Sequence, residues 1–347
     1  MSRWKLILAS GLLLMGCTLT HTDSQGPGKR SKKEKFMNLV FYNVENLFDT
    51  KDDPNTNDAQ FLPDGELAWD ESRYQKKLTH LAEALSLLGE ELPVIIGLAE
   101  VENKEVLNDL IKTGKLKGEH YAICHQDSPD KRGIDCALLY DSDRFKLKEF
   151  ETIDVSDRKE GYYTRDILYV SGWLNGSDLI HCFVNHWSSR RDGQQETEYK
   201  RVRAAKKLRA SIDQIQKEDP NANIVAMGDF NDKPDNKSVR EVLRARSIEE
   251  NLSPGDLVNL LTDEHESGKG TISYRREWMV FDQMIVSQNM LDPKNGLQVV
   301  GQDQILYDQA LIYTYKSGDT KPNETYGGRN YYGGYSDHLP VYIKLKQ

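Results

Sequence analysis

Cysteine is scarce in this chain: four residues in 347, at Cys17, Cys124, Cys136 and Cys182. So small a number excludes a disulfide-built miniprotein, and the lack of any Cys-x-x-Cys pair speaks against a zinc ribbon. Long hydrophobic runs are missing too. The one apolar stretch, Leu6 to Leu14, is too short for a spanning helix, which needs about 20 residues, and a multispan membrane protein is excluded. An excess of positive charge is also absent, since 46 Lys and Arg face 55 Asp and Glu for a net charge of −9. A general nucleic-acid coat would be basic, whereas an enzyme that holds a divalent cation and grips phosphates locally need not be. With 38% hydrophobic and 29% charged residues the chain is neither disordered nor fibrous, and its length suits one large domain or two small ones.

What is present begins with an address. Arg3 and Lys5 precede the apolar run, and Leu14-Met15-Gly16-Cys17 follows it. A basic start, a short apolar stretch and a small residue before the cut describe a secretory signal, and the Cys after Gly16 makes it resemble a bacterial lipoprotein signal. This predicts a signal peptide over 1–16, lipid on Cys17, and a flexible Ser/Thr/Gly/Pro/Lys-rich linker to residue 36. With Cys17 lipidated, three thiols remain, enough for one disulfide and one free thiol.

From residue 37 on, apolar strands alternate with amphipathic helices. Strands are predicted over 38–43, 93–99, 134–140, 163–173, 179–185, 223–227, 281–286 and 339–345. Helices are predicted over 72–88, where Leu78, Leu81, Leu85 and Leu88 keep helical spacing, 105–112, and 195–217, with Tyr199, Val202, Ala205, Ile212 and Ile215 on one side. Two packed sheets with helices outside would bury so many strands.

Polar residues gather where these strands end: Asn43 and Glu45, Glu100, His186, Asp229 and Asn231, Asp282, then Asp337 and His338. Each has a plain local reading. Asn43 forms turns, Glu100 suits a helix N-terminus, and Gly228-Asp229 marks a turn. Together they describe a rim at which a rigid scaffold aims functional groups. Carboxylates gathered without basic partners raise one another's pKa, and a bound cation relieves that. Oxygen donors without thiols favour Mg2+ or Mn2+ over zinc. Ser188, Ser189, Arg190 and Arg191 follow His186 and suit a phosphate.

The ordered motifs Tyr42-Asn43-Val44-Glu45-Asn46, Leu98-Ala99-Glu100, Asn185-His186-Trp187, Gly228-Asp229-Phe230-Asn231, Phe281-Asp282 and Ser336-Asp337-His338 resemble those of the endonuclease/exonuclease/phosphatase superfamily. Its members include pancreatic deoxyribonuclease, exonuclease III and neutral sphingomyelinases. The resemblance covers roughly residues 37–347 as one catalytic domain. It implies an α+β fold, a four-layer αββα sandwich of two packed mixed β-sheets with outer helices, and a site at one rim of the sheets. By position, Glu100 resembles the principal metal-ligating glutamate. Glu45 and Asp337 would touch the same ion, with Asn43 supporting the site. Asp229 and Asn231 resemble the pair that positions and deprotonates the attacking water. Asp282 would orient His338, which would contact the scissile phosphate. His186 would stabilise the pentacoordinate phosphorus or protonate the leaving oxygen. No Ser or Cys nucleophile is required.

Further substrate contacts are expected at Arg132, Arg165, Arg190 and Tyr335. If strand 134–140 lies beside strand 179–185, Asp135 hydrogen-bonds His186 and fixes its tautomer; the alternative is an Asp in a turn after Gly133. Tyr326, Tyr331, Tyr332 and Tyr335, set among glycines, either stack bases or pack on one another. Helix residues 200–209 carry six bases, which either follow a DNA backbone or form a solvated face. The motif set resembles a bacterial secreted nuclease branch. The expected function is therefore a divalent-metal-dependent phosphodiester hydrolase acting on DNA, anchored in the cell envelope through Cys17 (facing periplasm or exterior) or secreted, with no obligate protein partner. Two alternatives remain: a phosphatase or phosphodiesterase on lipid head groups, sugar phosphates or nucleotides, and an inactive surface-binding lipoprotein.

Overall fold

Unbroken apolar runs bounded by turns become central strands, buried on both faces. Leu39 to Tyr42 is such a run, and every one of its residues is buried. A computed structural model of the chain describes residues 36–301 and 304–347. The predicted signal, the linker through Lys35 and the lipidation position Cys17 lie outside the described residues.

The chain runs β1 (Phe36–Leu47), α1 (Glu71–Leu85), β2 (Ile95–Val101), α2 (Lys104–Leu110), β3 (Tyr121–His125), β4 (Asp135–Asp141), β5 (Phe145–Ile153), β6 (Ile167–Leu174), β7 (Asp178–His186), α3 (Gln194–Glu218) and β8 (Asn223–Asp229). It continues with β9 (Ala245–Arg246), β10 (Leu257–Asn259), α4 (Thr262–Glu266), β11 (Ile272–Tyr274), β12 (Glu277–Met279), β13 (Asp282–Ser287), β14 (Gln298–Val300), β15 (Ile312–Thr314), β16 (Thr320–Pro322), β17 (Tyr326–Gly327), β18 (Asn330–Tyr331) and β19 (Val341–Lys346). A six-stranded sheet has the order β14-β19-β1-β2-β4-β3, and a seven-stranded sheet the order β5-β6-β7-β8-β13-β10-β9.

Both sheets are mixed, and each is centred on a parallel pair joined through a helix: β1–α1–β2 in the first and β7–α3–β8 in the second. Parallel neighbours need such a crossover. Their inner faces meet around Leu39, Phe41, Ile95, Val184, Val225 and Met227. Gly97 lies at this contact, where an added Cβ would come within 2.9 Å of Met227 Sδ. Outside the first sheet, α1 buries Leu78, Leu81 and Leu85. Outside the second, α3 packs Ala204, Ala205, Leu208 and Ile212 against Phe183, Ile224 and Ala226. The result is the four-layer α+β sandwich.

Several expectations need correction. The inward stripe of α3 is Thr197, Arg201, Ala204, Ala205, Leu208, Arg209 and Ile212, and Tyr199 is exposed. The basic run is therefore not simply a solvated face, because Arg201 and Arg209 turn inward. Strand 163–173 begins only at Ile167, since Arg165 is drawn away to Asp130. β3 and β5 were not anticipated. β5 is an edge strand whose exposed lysines and glutamates blur its alternation, a common protection of open edges. Cys124, Cys136 and Cys182 are free, buried thiols. Gly228 is not in a turn but inside β8, where a Cβ would meet Asn185 O at 2.3 Å. Among the described residues no helix is long and apolar enough to cross a membrane.

Candidate active site

The topology brings the polar strand ends together. In both parallel pairs the C-terminal ends reach the same rim: β1 delivers Asn43 and Glu45, β2 delivers Glu100, β7 ends on His186 and β8 on Asp229. Carboxyl ends of parallel strands are where open α/β sheets place ligands, since the crossovers leave a crevice there. The antiparallel partners contribute their beginnings. Asp282 opens β13 directly opposite Asp229, and His338 precedes β19.

Backbone distortion aims the acids. The β1–β2 register slips between Asn43 and Leu47, and the β2–β4 register between Ala99 and Val101. At these bulges Glu45, Asn46 and Glu100 adopt φ of 49°, 56° and 66°, and Asn231 follows β8 with φ of 49°. Left-handed backbone at non-glycine residues costs about 1–3 kcal/mol each, and such strain concentrates at functional sites. Here it turns Glu100 so that Oε2 accepts Asn46 N–H at 2.9 Å while Oε1 lies 3.7 Å from His186 Nε2.

Asp229 is the hub. Its Oδ1 accepts the Asn231 backbone N–H at 2.9 Å, and its Oδ2 accepts Asn231 Nδ2 at 3.1 Å and Asn43 Nδ2 at 3.2 Å. Oδ2 also lies 3.7 Å from His186 Nε2 and 3.9 Å from His338 Nε2. On the far side of its ring, His338 Nδ1 is 2.7 Å from Asp282 Oδ2. Asp282 is fully buried, with Thr271 Oγ1 accepting its backbone N–H at 3.1 Å, and its Oδ1 has no hydrogen-bond partner.

Burial and neighbouring charge then set the protonation states. Burial raises Asp229, Asp282 raises it further and His338 lowers it, leaving it at about 7. Burial alone would lower His338, but Asp282 and Asp337 outweigh it and hold the imidazole cationic well above its usual range. His186 moves the other way: burial, then Arg165 and Arg132, push it well below the usual value, so it is neutral. Glu45 is raised to about 8 by burial despite Lys77.

Glu100, His186, Asp229, Asn231, Asp337 and His338 line a cleft of about 760 Å3 together with Arg132, Arg165, Arg190, Arg191 and Lys200. Arg165 is buried and bound to Asp130 Oδ2 at 3.1 Å and Trp187 O at 2.7 Å. Beyond Asp337 the cleft continues into a second recess that shares Arg132, Arg191 and Asp337.

Three expected contacts fall elsewhere. β4 and β7 pack face to face in different sheets rather than side by side, and Asp135 is engaged elsewhere: it accepts Ser128 N–H at 2.9 Å and lies 3.4 Å from His125 Nε2. His186 Nδ1 has no hydrogen-bond partner. Arg190 is on the cleft wall but its guanidinium is committed to Asp232 at 2.6 Å and Asn231 O at 2.7 Å. Tyr335 is buried and stacked on His80 of α1, ring centroids 4.4 Å apart, away from the cleft. Glu45 reaches the rim, yet both its oxygens accept backbone N–H groups, of Thr325 at 2.7 Å and Tyr326 at 2.8 Å, so it also clamps the Tyr/Gly loop.

Sequence reasoning passed over Lys77. It is fully buried behind Glu45 and donates to Thr325 Oγ1 at 2.6 Å and Tyr335 O at 2.7 Å. A lysine between Tyr74 and Leu78 in the buried stripe of α1 was its one visible signal. Ser336, whose Oγ donates to Asn43 O and accepts His338 N–H, was quoted only as part of a motif.

The donor set fits a hard divalent cation. Glu100 and Asp337 face the cleft beside Asp229. They offer oxygens only, the donors a hard cation takes, and the Asp229 carboxyl beside them is raised first by burial and further by Asp282 and Glu100. Asp229, Asp282 and His338 also lie close enough to be ligands, but the 2.7 Å Asp282–His338 spacing is that of a hydrogen bond.

The chain belongs to the endonuclease/exonuclease/phosphatase family, whose model matches residues 38–347. Members of that family hydrolyse phosphoester bonds. The protein angel of Drosophila melanogaster is 25% identical over 242 residues, which are 65% of this chain and 61% of that protein, so the chain spans less than two thirds of that relative. Among solved structures it is similar to the human Nocturnin catalytic domain with bound sulfate (18% identity, 90% of this chain and 98% of that one, TM-score 0.53). It is also similar to D. rerio TDP2 complexed with a single-strand DNA product (14%, 90% and 100%, 0.51). A mannosyl-6-phosphatase of Bacteroides thetaiotaomicron matches as well (15%, 89% and 99%, 0.50). At these identities the structural likeness concerns the fold.

Proposed function

We propose that the protein is a divalent-metal-dependent phosphodiesterase acting on nucleic acid, DNA in the first place. The observation that carries this is the continuity of the cleft: two recesses joined through Arg132, Arg191 and Asp337 let a polyanion run past the acidic centre. TDP2, a protein of similar fold, has been captured with a DNA product. Glu100 and Asp337, with Asn43 beside them, would hold Mg2+ or Mn2+. When bound, the cation would polarise a non-bridging oxygen and stabilise the leaving oxygen. Asp229, ionised above about pH 7, takes the proton of the attacking water, which Asn231 helps to orient. Cationic His338 donates to a phosphate oxygen, and Asp282 holds its ring in line. Neutral His186, between Glu100 and Asp229, offers a hydrogen bond to the reacting phosphoryl group. Positioning and electrostatics carry the rate.

A second reading is favoured by Tyr335: with its ring stacked on His80 it offers no base platform, which suits a small phosphomonoester such as a sugar phosphate. The test is to offer purified protein plasmid DNA, an oligonucleotide and mannose 6-phosphate, with Mg2+, Mn2+ or chelator. Metal-dependent DNA cleavage is the expected result; phosphate release from the sugar ester alone would overturn the nuclease reading. We also propose envelope anchoring through lipid on Cys17. Detergent-phase partition of the expressed full chain, lost in Cys17→Ser, is expected; equal partition of both would contradict it.

A further inference from the structure

Beside the cleft the hairpin β11–β12 reverses over two residues, with Tyr274 paired to Glu277. The turn residues Arg275 and Arg276 both have positive φ, 53° and 71°. Two-residue turns of this kind favour Asn-Gly, because left-handed backbone strains other residues. Two arginines are thus kept at positions that cost stability. The hairpin is fixed to the catalytic centre, since Ile272 bridges His338, and Ile272, Tyr274 and Met279 line the cleft.

A second hairpin, β15–β16, packs alongside. Trp278 Nε1 donates to Thr320 Oγ1 at 3.3 Å and Arg276 Nη1 to Asp319 Oδ2 at 3.0 Å. The two hairpins, with Tyr332 just after β18, present rings and cations side by side. Arg275 lies 5.1 Å from the Tyr274 ring and Arg276 5.8 Å from Tyr315. Lys321 Nζ lies 5.8, 5.7 and 5.2 Å from Tyr313, Tyr315 and Tyr332. Tyr274, Tyr313 and Tyr332 are about half exposed, at 58%, 47% and 56%.

From this we propose that the two hairpins form a docking surface for an unpaired nucleic-acid strand, leading it into the cleft along Tyr274. The proposal rests on the nucleic-acid reading of the site and adds that the preferred substrate is single-stranded. Exposed rings interleaved with cations match such a strand, whose bases are free to stack while its phosphates meet the exposed Arg275 and Arg276 guanidinium groups; Lys321 is paired with Glu324 and supports the rings. A duplex hides its base faces and would use the arginines alone.

The test measures binding of a fluorescein-labelled 15-nucleotide oligothymidylate in chelator, and separately the metal-supported hydrolysis of bis(p-nitrophenyl) phosphate. Two variants are compared with wild type: Arg275→Asn with Arg276→Gly, and Tyr313→Ala; none of these residues lines the cleft. The turn variant relieves backbone strain, so its Tm should match or exceed that of wild type. In each variant the Kd for the strand is expected to rise about tenfold or more, with hydrolysis of the small diester unchanged. Unchanged Kd in both variants, or equal wild-type affinity for a matching duplex, would overturn the proposal. If wild type binds the strand through the hairpins but cleaves no DNA, the nuclease reading fails and the docking surface stands. If DNA is cleaved and the variants bind as wild type does, the reverse holds.

Discussion

Asp282 and His338 show how single residues set the chemistry. A carboxylate with no water contact is costly unless it is partnered, and here its partner is an imidazole 2.7 Å away. Asp282→Asn removes the charge that keeps His338 cationic. The His338 pKa should fall from above its ordinary value toward or below it, read by NMR titration of the imidazole nitrogens, and hydrolysis at pH 8 should drop at least tenfold. An unchanged titration would show that Asp282 does not hold the proton there. Much of this site was legible because each member interrupts an apolar run, as Glu100 does after Ala99 and Asp229 after Gly228. The partners that engage Asp135, Arg190 and Tyr335 were not legible, for one shared reason. Their surroundings are set by partners distant in sequence or in another element: His125 on the neighbouring strand, Asp232 beyond β8, and His80 on α1.

Helix α3 carries the same lesson at the scale of an element. Its basic run looks like a solvated stripe, yet Arg201 is fully buried and holds Asp232 at 2.8 Å, with Thr197 Oγ1 at 2.8 Å and Gln194 O at 2.7 Å as further acceptors. Asp232 in turn fixes Arg190 and the loop after Asn231. Arg201→Met leaves a buried carboxylate short of one partner. The expected loss is about 3–5 kcal/mol, seen as a lower Tm and urea midpoint; a loss under about 1 kcal/mol would mean that Arg190 alone suffices. The strands were easier to read than this helix. Period-2 patterning and Val/Ile-rich runs identify a buried strand directly, whereas inward arginines escape any hydrophobic period. The bulges at Glu45 and Glu100 were also invisible, because no glycine marks them.

For the whole molecule, the packing of two mixed sheets creates the rim, and the rim concentrates negative charge. In metal-free protein Asp229 and Glu45 titrate at about 7 and about 8, above the usual carboxylate values of about 3.9 and 4.3. A raised carboxyl favours the folded state only while protonated, so its contribution fades as pH rises through the folded pKa. His338, also raised, fades in the same direction. His186, lowered, acts only below about 6.5. Metal-free Tm should therefore fall between pH 6 and 9, and Mg2+ or Mn2+ should raise Tm more at pH 9 than at pH 6. A metal-induced shift independent of pH would contradict this linkage.

The most direct test of the central claim, that Asp229 and the acids around it form a metal-dependent phosphoester-hydrolysing centre, is the rate of bis(p-nitrophenyl) phosphate hydrolysis at pH 8 with Mn2+ and with chelator, for wild type and Asp229→Ala. The account predicts turnover by wild type with metal, none in chelator, and a loss of at least a hundredfold in a folded Asp229→Ala protein. Turnover that survives chelation, or survives in Asp229→Ala, would contradict it.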